Sequence, residues 1–277
     1  MTLNLKMLPN RLMNQFSEVF HRCCASIGKA PPSGLKHLAR ERFVANKGNS
    51  RLFHFRPSSR GDRGVVRQVL RNLDYDIERW QHGRALRDYY INIKSTQRPL
   101  IIDAGANIGA ASVYYKMLYP EAKVIAIEPE RHNVQLLRLN THDLEVEVLE
   151  AALTDRPRKI YLQDVGHSDW GFQVGDTGSY TVQSVTMQDI LSHQGDRATP
   201  LIAKLDVEGS EAQIFSGNSD WIALFPLIVI ELHDWMLPGK SVSRSFYRHI
   251  LELDFDIVTR GENTFCFNNK ILRSFYH

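Results

Sequence analysis

From Leu100 onward the chain alternates short apolar runs with stretches whose apolar residues recur every three to four positions. The apolar runs span 100–104, 123–127, 145–149, 201–205, 226–231, 256–259 and 264–267, most of them bounded by Gly, Pro, Asp or Asn, and they read as strands. The stretches near 108–119, 130–140, 209–217 and 242–253 read as helices. Strand and helix in regular succession predict βαβ units around a parallel sheet. The last two runs are separated only by Arg260-Gly261-Glu262-Asn263, which predicts a closing antiparallel hairpin. The expected architecture is thus α/β, a seven-stranded, mostly parallel sheet with an antiparallel C-terminal hairpin.

Residues 1–98 have a different texture. Leu12, Phe16, Val19, Phe20 and Cys23 fall at helical spacing, Ala30-Pro31-Pro32-Ser33-Gly34 breaks the pattern, 49–64 is polar and turn-rich, and 65–80 and 84–93 read as helical. This stretch holds 19 Lys+Arg against 7 Asp+Glu, whereas residues 99–277 hold 15 against 24. The split predicts two regions, a basic, mainly helical one over 1–98 and an acidic α/β domain over 99–277. A basic segment attracts an anionic partner, or docks on the acidic domain beside it. Leu224 to Leu232 is the longest apolar run and is too short for a membrane span, so no transmembrane segment is expected. The first residues lack the apolar core of a secretory signal, and Cys23, Cys24 and Cys266 form neither a disulfide framework nor a zinc-ligand spacing. Both features predict a cytoplasmic protein with free thiols.

The chemistry concentrates at the ends of the predicted strands. LIIDAGANIG ends a strand in Asp103 and opens a helix after Gly105, Asn107 and Gly109; the glycines let the backbone approach a ligand. Asp103 would repel a diphosphate, and the spacing is not G-x-G-x-x-G, which disfavours a dinucleotide. A ligand with a cationic amino-acid end and no phosphate, such as S-adenosylmethionine, suits the loop. Glu128 at the tip of the next strand lies 25 residues on, close to the offset at which an acidic side chain accepts from ribose hydroxyls. In LIAKLDVEGSEAQIF, alternation puts Lys204 and Asp206 on one face, while Glu208 and Glu211 either complement a helix N-terminus or take part in function. PLIVIELHDW ends in Glu231, His233 and Asp234. Asp206, Glu231 and His233 are expected to converge, with Lys204 held by Asp206 or Glu231.

DAGANIG, IEPE, EAALTD, SVTMQDIL, KLDVEGSE and VIELH occur in an order that resembles the FkbM family of methyltransferases, over residues 100 to about 235. The resemblance implies the Rossmann-like fold of class I S-adenosylmethionine-dependent methyltransferases. It implies S-adenosylmethionine as donor and a hydroxyl of a sugar or secondary metabolite, a small-molecule or glycan acceptor, as target. It carries Asp103, Gly105, Asn107, Gly109 and Glu128 to cofactor contacts, and Lys204, Asp206, Glu208, Gly209 and Glu211 to the family's signature loop. Asp206 also stands at the expected cofactor pocket. The expected mechanism has His233 as general base, poised by Glu231 or Asp206. The alternative is a divalent metal on Asp206, Glu231 and His233, with Mn²⁺ or Zn²⁺ favoured over Mg²⁺. Residues 164–180, tipped by Trp170, read as an acceptor loop. Two other readings stand beside this one. A nucleic-acid methyltransferase would use the basic segment, yet Asp206-Val207-Glu208-Gly209 stands where base methylation usually shows Asn/Asp-Pro-Pro-Tyr/Phe; a non-catalytic binding protein would keep the cofactor fold without turnover.

Overall fold

The computed structural model describes residues 38–44, 50–164, 172–175, 180–195 and 198–277. The first described elements are the strands β1 (Ala39–Val44) and β2 (Ser50–Phe55), paired as an antiparallel hairpin. Helix α1 (Arg60–Val65) runs on into a π-helical turn over Val66–Arg71, and α2 (Gln81–Ile93) follows. The stretch read as turn-rich therefore carries a strand, because Phe43 and Phe53 are both 1% exposed and need a partner surface. Burying each stabilises the chain by roughly 1.5–3 kcal/mol. The predicted helix at 12–23 and the Cys23-Cys24 pair lie outside the described residues, and Cys266 is a buried free thiol.

The main sheet then begins with β3 (Arg98–Ala104), α3 (Ala110–Leu118), β4 (Lys123–Glu128), α4 (Arg131–Thr141) and β5 (Val146–Thr154). Next come β6 (Ile160–Asp164), β7 (Phe172–Gly175), β8 (Tyr180–Thr186) and α5 (Met187–Gln194). The last part comprises β9 (Ala198–Leu205), α6 (Glu211–Ile214), β10 (Leu227–Glu231), α7 (Arg244–Leu251), β11 (Phe255–Arg260), β12 (Asn263–Asn268) and α8 (Asn269–Leu272). Strand order is β11-β12-β10-β9-β3-β4-β5-β8-β6-β7. The predicted seven strands form its first part, parallel except for β12 against β10 and β11. The sequence reading missed β8, β6 and β7, which prolong the sheet beyond β5. Part of the expected acceptor loop is β7, and Trp170 lies outside the described residues.

Successive side chains of a strand point to opposite faces, and here both faces are covered. Ile101, Leu227 and Val229 join Val113 and Tyr114 of α3 and Phe43, Phe53, Val69 and Leu86 of the preceding segment. Leu100, Ile102, Ile228 and Ile230 join Ile190, Phe215 and Phe246 on the other side. The described part of the basic segment thus packs on one face of the sheet. Because β3 leads to β4 on one side and lies against β9 on the other, strand order reverses at β3/β9, and a crevice opens beyond their carboxyl ends. Helix α6 is shorter than expected. Glu208 and Gly209 adopt left-handed φ of 51° and 90°, so the helix starts only at Glu211.

Candidate functional site

The loop after β3 touches the loop after β9 backbone to backbone. Gly105 has φ 73°, and a Cβ there would lie 1.7 Å from the carbonyl oxygen of Asp206, so only glycine fits. Asn107, also left-handed at φ 49°, donates its N–H to Glu128 Oε2 at 2.9 Å, while its own Oδ1 is buried with no partner. Glu128, at the end of β4, also accepts from the Glu130 N–H at 2.9 Å and from Asn133 Nδ2 at 3.4 Å. Burial pushes its carboxyl up to about 7 in spite of these bonds. Gly105, Asn107 and Glu128 border an open cleft that continues past Ala152 to Asp206 and Glu208, with about 610 Å³ of empty space counting its mouth.

Two residues expected at the ligand stand behind this loop instead. Asp103 is fully buried; it accepts from Ser112 Oγ at 2.6 Å and meets Lys204 Nζ at 3.2 Å, so its carboxylate faces the protein rather than the cleft. Gly109 caps α3 at φ 91°, where a Cβ would press on Leu137 Cδ1 at 2.7 Å, which makes it a helix-packing position. Lys204, 3% exposed, donates to the Gly105 carbonyl at 2.7 Å and pairs with Asp206 Oδ2 at 3.4 Å as well as with Asp103. Burial works against its ammonium, but the charges of Asp103 and Asp206 outweigh it and raise the pKa. A cation fixed in this way ties the ends of β3 and β9 to the glycine loop; it has no lone pair to offer a substrate.

The second cluster gathers around His233, just beyond β10 and 1% exposed. Its Nδ1 lies 2.5 Å from Glu211 Oε1. Its Nε2 faces Glu231 Oε1 at 3.5 Å, Asp206 Oδ1 at 3.6 Å and Glu208 Oε2 at 3.8 Å. Asp206, Glu231 and His233 therefore do converge, as the strand ends predict. Their arrangement differs in one respect: the residue that holds the ring is Glu211, itself fully buried, rather than Glu231 or Asp206. Burial disfavours a charged imidazole, yet the Glu211 hydrogen bond and the negative charges of Asp206, Glu211 and Glu208 lift the His233 pKa to about 9. Burial first, and then the charge of Asp206, raise both Glu208 and Glu231 out of the ordinary carboxylate range.

Sequence reasoning missed two further neighbours. Tyr75, from the segment before the sheet, is 6% exposed and packs tilted against Tyr115, with 5.7 Å between ring centroids. Burial, followed by the charges of Asp206, Asp103 and Glu231, raises its hydroxyl pKa. No local signal marks it. Trp235 was visible in the sequence, two residues past His233, and its indole is 71% exposed beside that ring. Among the described residues no helix is long and apolar enough to cross a membrane.

A family model described as the methyltransferase FkbM domain matches residues 103–257. Methyltransferase 1 of Beauveria bassiana is 28% identical over 161 residues, covering 48% of this chain and 64% of its own length. The 2-O-methyltransferase NoeI of Sinorhizobium fredii is 21% identical, covering 64% and 83%. The hexuronic acid methyltransferase AglP of Haloferax volcanii is 23% identical, covering 74% and 75%.

Proposed function

The chain belongs to the FkbM methyltransferase family, and from that premise we propose that it transfers a methyl group from S-adenosylmethionine to the hydroxyl of a sugar or secondary-metabolite acceptor. The observation that carries this reading is the continuity of the cleft, which joins the Gly105, Asn107 and Glu128 corner to Asp206 and Glu208 in one space. The groups at that corner fit the donor. Asn107 Oδ1 is a buried acceptor without a partner, suited to an ammonium or hydroxyl donor. Glu128 stands at the strand tip where ribose hydroxyls are bound in sheets of this kind. When bound, S-adenosylmethionine supplies a methyl group on a positively charged sulfur. Gly105 and Asn107 would hold its amino-acid end and Glu128 its ribose, while Asp103, Gly109 and Lys204 keep the loop in shape behind them.

An acceptor hydroxyl entering between this corner and the cluster meets carboxylates whose affinity for a proton is raised by burial. Glu231, at the end of β10 and 3.5 Å from His233 Nε2, is the residue assigned here to receive the hydroxyl proton as the oxygen attacks. His233 and Glu211 hold that carboxylate group in register. The relatives NoeI, a 2-O-methyltransferase, and AglP, a hexuronic acid methyltransferase, favour a carbohydrate acceptor. Calorimetric titration with S-adenosylhomocysteine tests the donor site. Wild type is expected to bind with micromolar affinity, and Asn107→Ala and Glu128→Ala to weaken binding at least tenfold; a folded wild type that takes up no ligand would remove the assignment.

A further inference from the structure

We propose that the oxygens of Asp206 and Glu208 and Nε2 of His233 form a binding site for a divalent transition-metal cation of the Mn²⁺ class. These three ligand atoms lie within 4.8 Å of one another. The separations from Nε2, 3.6 Å to Asp206 and 3.8 Å to Glu208, compare with about 3.4 Å between neighbouring ligands on a tetrahedron with bonds of ~2.1 Å. Small side-chain adjustments would close the shell. The set expected from sequence had Glu231 in place of Glu208; the left-handed turn at Glu208 is what brings that carboxylate round to the ring.

Carboxylates gathered at a strand end do not by themselves make a metal site. The histidine does. It is 1% exposed, its Nδ1 is held by Glu211, and its Nε2 makes no hydrogen bond while aimed between the oxygens of Asp206, Glu208 and Glu231. A metal-bound histidine ordinarily donates its other N–H to a carboxylate, which fixes the tautomer, and the ion takes the Nε2 lone pair by displacing the proton from that nitrogen into solvent. Glu211 stands in that relation to His233, and being fully buried, with Oε2 unpartnered, it has no competing solvent. The charge balance points the same way. Asp206 gives Oδ2 to Lys204 and keeps Oδ1 for the ring side, so Lys204 neutralises only the Asp103 and Asp206 end of the cluster. A ligand set of one imidazole and two carboxylates suits Mn²⁺ or Zn²⁺ better than Mg²⁺.

The role of such an ion rests on the methyl-transfer reading, whereas its binding does not. There it would coordinate the acceptor oxygen and make the hydroxyl more acidic. The O–H proton would pass to Glu231, the oxygen would bond to the methyl carbon, and the carbon–sulfur electron pair would stay on sulfur. His233 would then be a ligand and not a base.

The test uses the full chain stripped with EDTA and titrated with MnCl₂, followed by calorimetry and by the loss of the free Mn²⁺ electron paramagnetic resonance signal. One ion per chain is expected, with affinity at least tenfold weaker in His233→Gln and Glu208→Gln and unchanged in Glu128→Gln. If His233→Gln does not fold, Glu208→Gln and Asp206→Asn carry the comparison. Failure of wild type to bind Mn²⁺ or Zn²⁺ would overturn the site, as would binding that survives all these substitutions. S-adenosylhomocysteine titration of the same samples separates the two readings: nucleoside binding without metal binding removes the ion alone, and metal binding without nucleoside binding removes the donor assignment alone.

Discussion

Lys204→Met tests whether the ammonium holds the site together. In the native chain Nζ has three partners, the Gly105 carbonyl and the carboxylates of Asp103 and Asp206. Removing it affects them unequally. The Asp206 side chain is 28% exposed and can recover water, whereas Asp103 is fully buried and keeps only the Ser112 hydroxyl. The cost is therefore set by one stranded buried carboxylate, about 3–5 kcal/mol. That is a large share of the ~5–15 kcal/mol by which domains are stable. Asp103→Asn leaves Lys204 paired with Asp206 and should cost about 1–3 kcal/mol. The double variant has no stranded charge, so its loss should fall short of the sum of the single losses by at least ~1 kcal/mol. Urea unfolding at pH 7, monitored by circular dichroism, gives all three values. A loss under ~1 kcal/mol in Lys204→Met, or additivity within ~0.5 kcal/mol, would refute the reasoning.

Two further outcomes follow from the same geometry. Burial pushes the Glu128 carboxyl from its ordinary value of 4.5 up to about 7, so the folded state binds its proton more tightly than the unfolded chain does. Its stabilising contribution is complete below pH 4.5 and is lost as pH rises to 7, on the order of 3 kcal/mol; thermal melts across that window should show the decline in wild type and a flatter profile in Glu128→Gln, and equal slopes would contradict it. Gly105→Ala would set a methyl group 1.7 Å from the Asp206 carbonyl oxygen at φ 73°, forcing the β3 and β9 loops apart. It should abolish S-adenosylhomocysteine binding and lower Tm, and a variant with native affinity would show that the two loops are not in contact.

The sequence by itself determined the alternation of strands and helices from Leu100 to Phe267, the closing hairpin, the glycines of the first loop, and the set of charged residues at the strand ends. Those features are local: a strand buried on both faces reads as a continuous apolar run, and a left-handed turn selects Gly or Asn. The partners of those residues were decided only by tertiary structure. Glu211 reaches His233 across 22 residues because α6 starts late, after the turn at Glu208 and Gly209. Asp103 turns away from the cleft because Lys204, one strand over, lies 3.2 Å from it. Tyr75 enters the neighbourhood of the acidic cluster, and the β1–β2 hairpin exists, because Phe43, Phe53 and their neighbours fill one face of the sheet. Periodicity reports which face of an element is buried; it carries no record of what that face meets, since that depends on how distant segments pack.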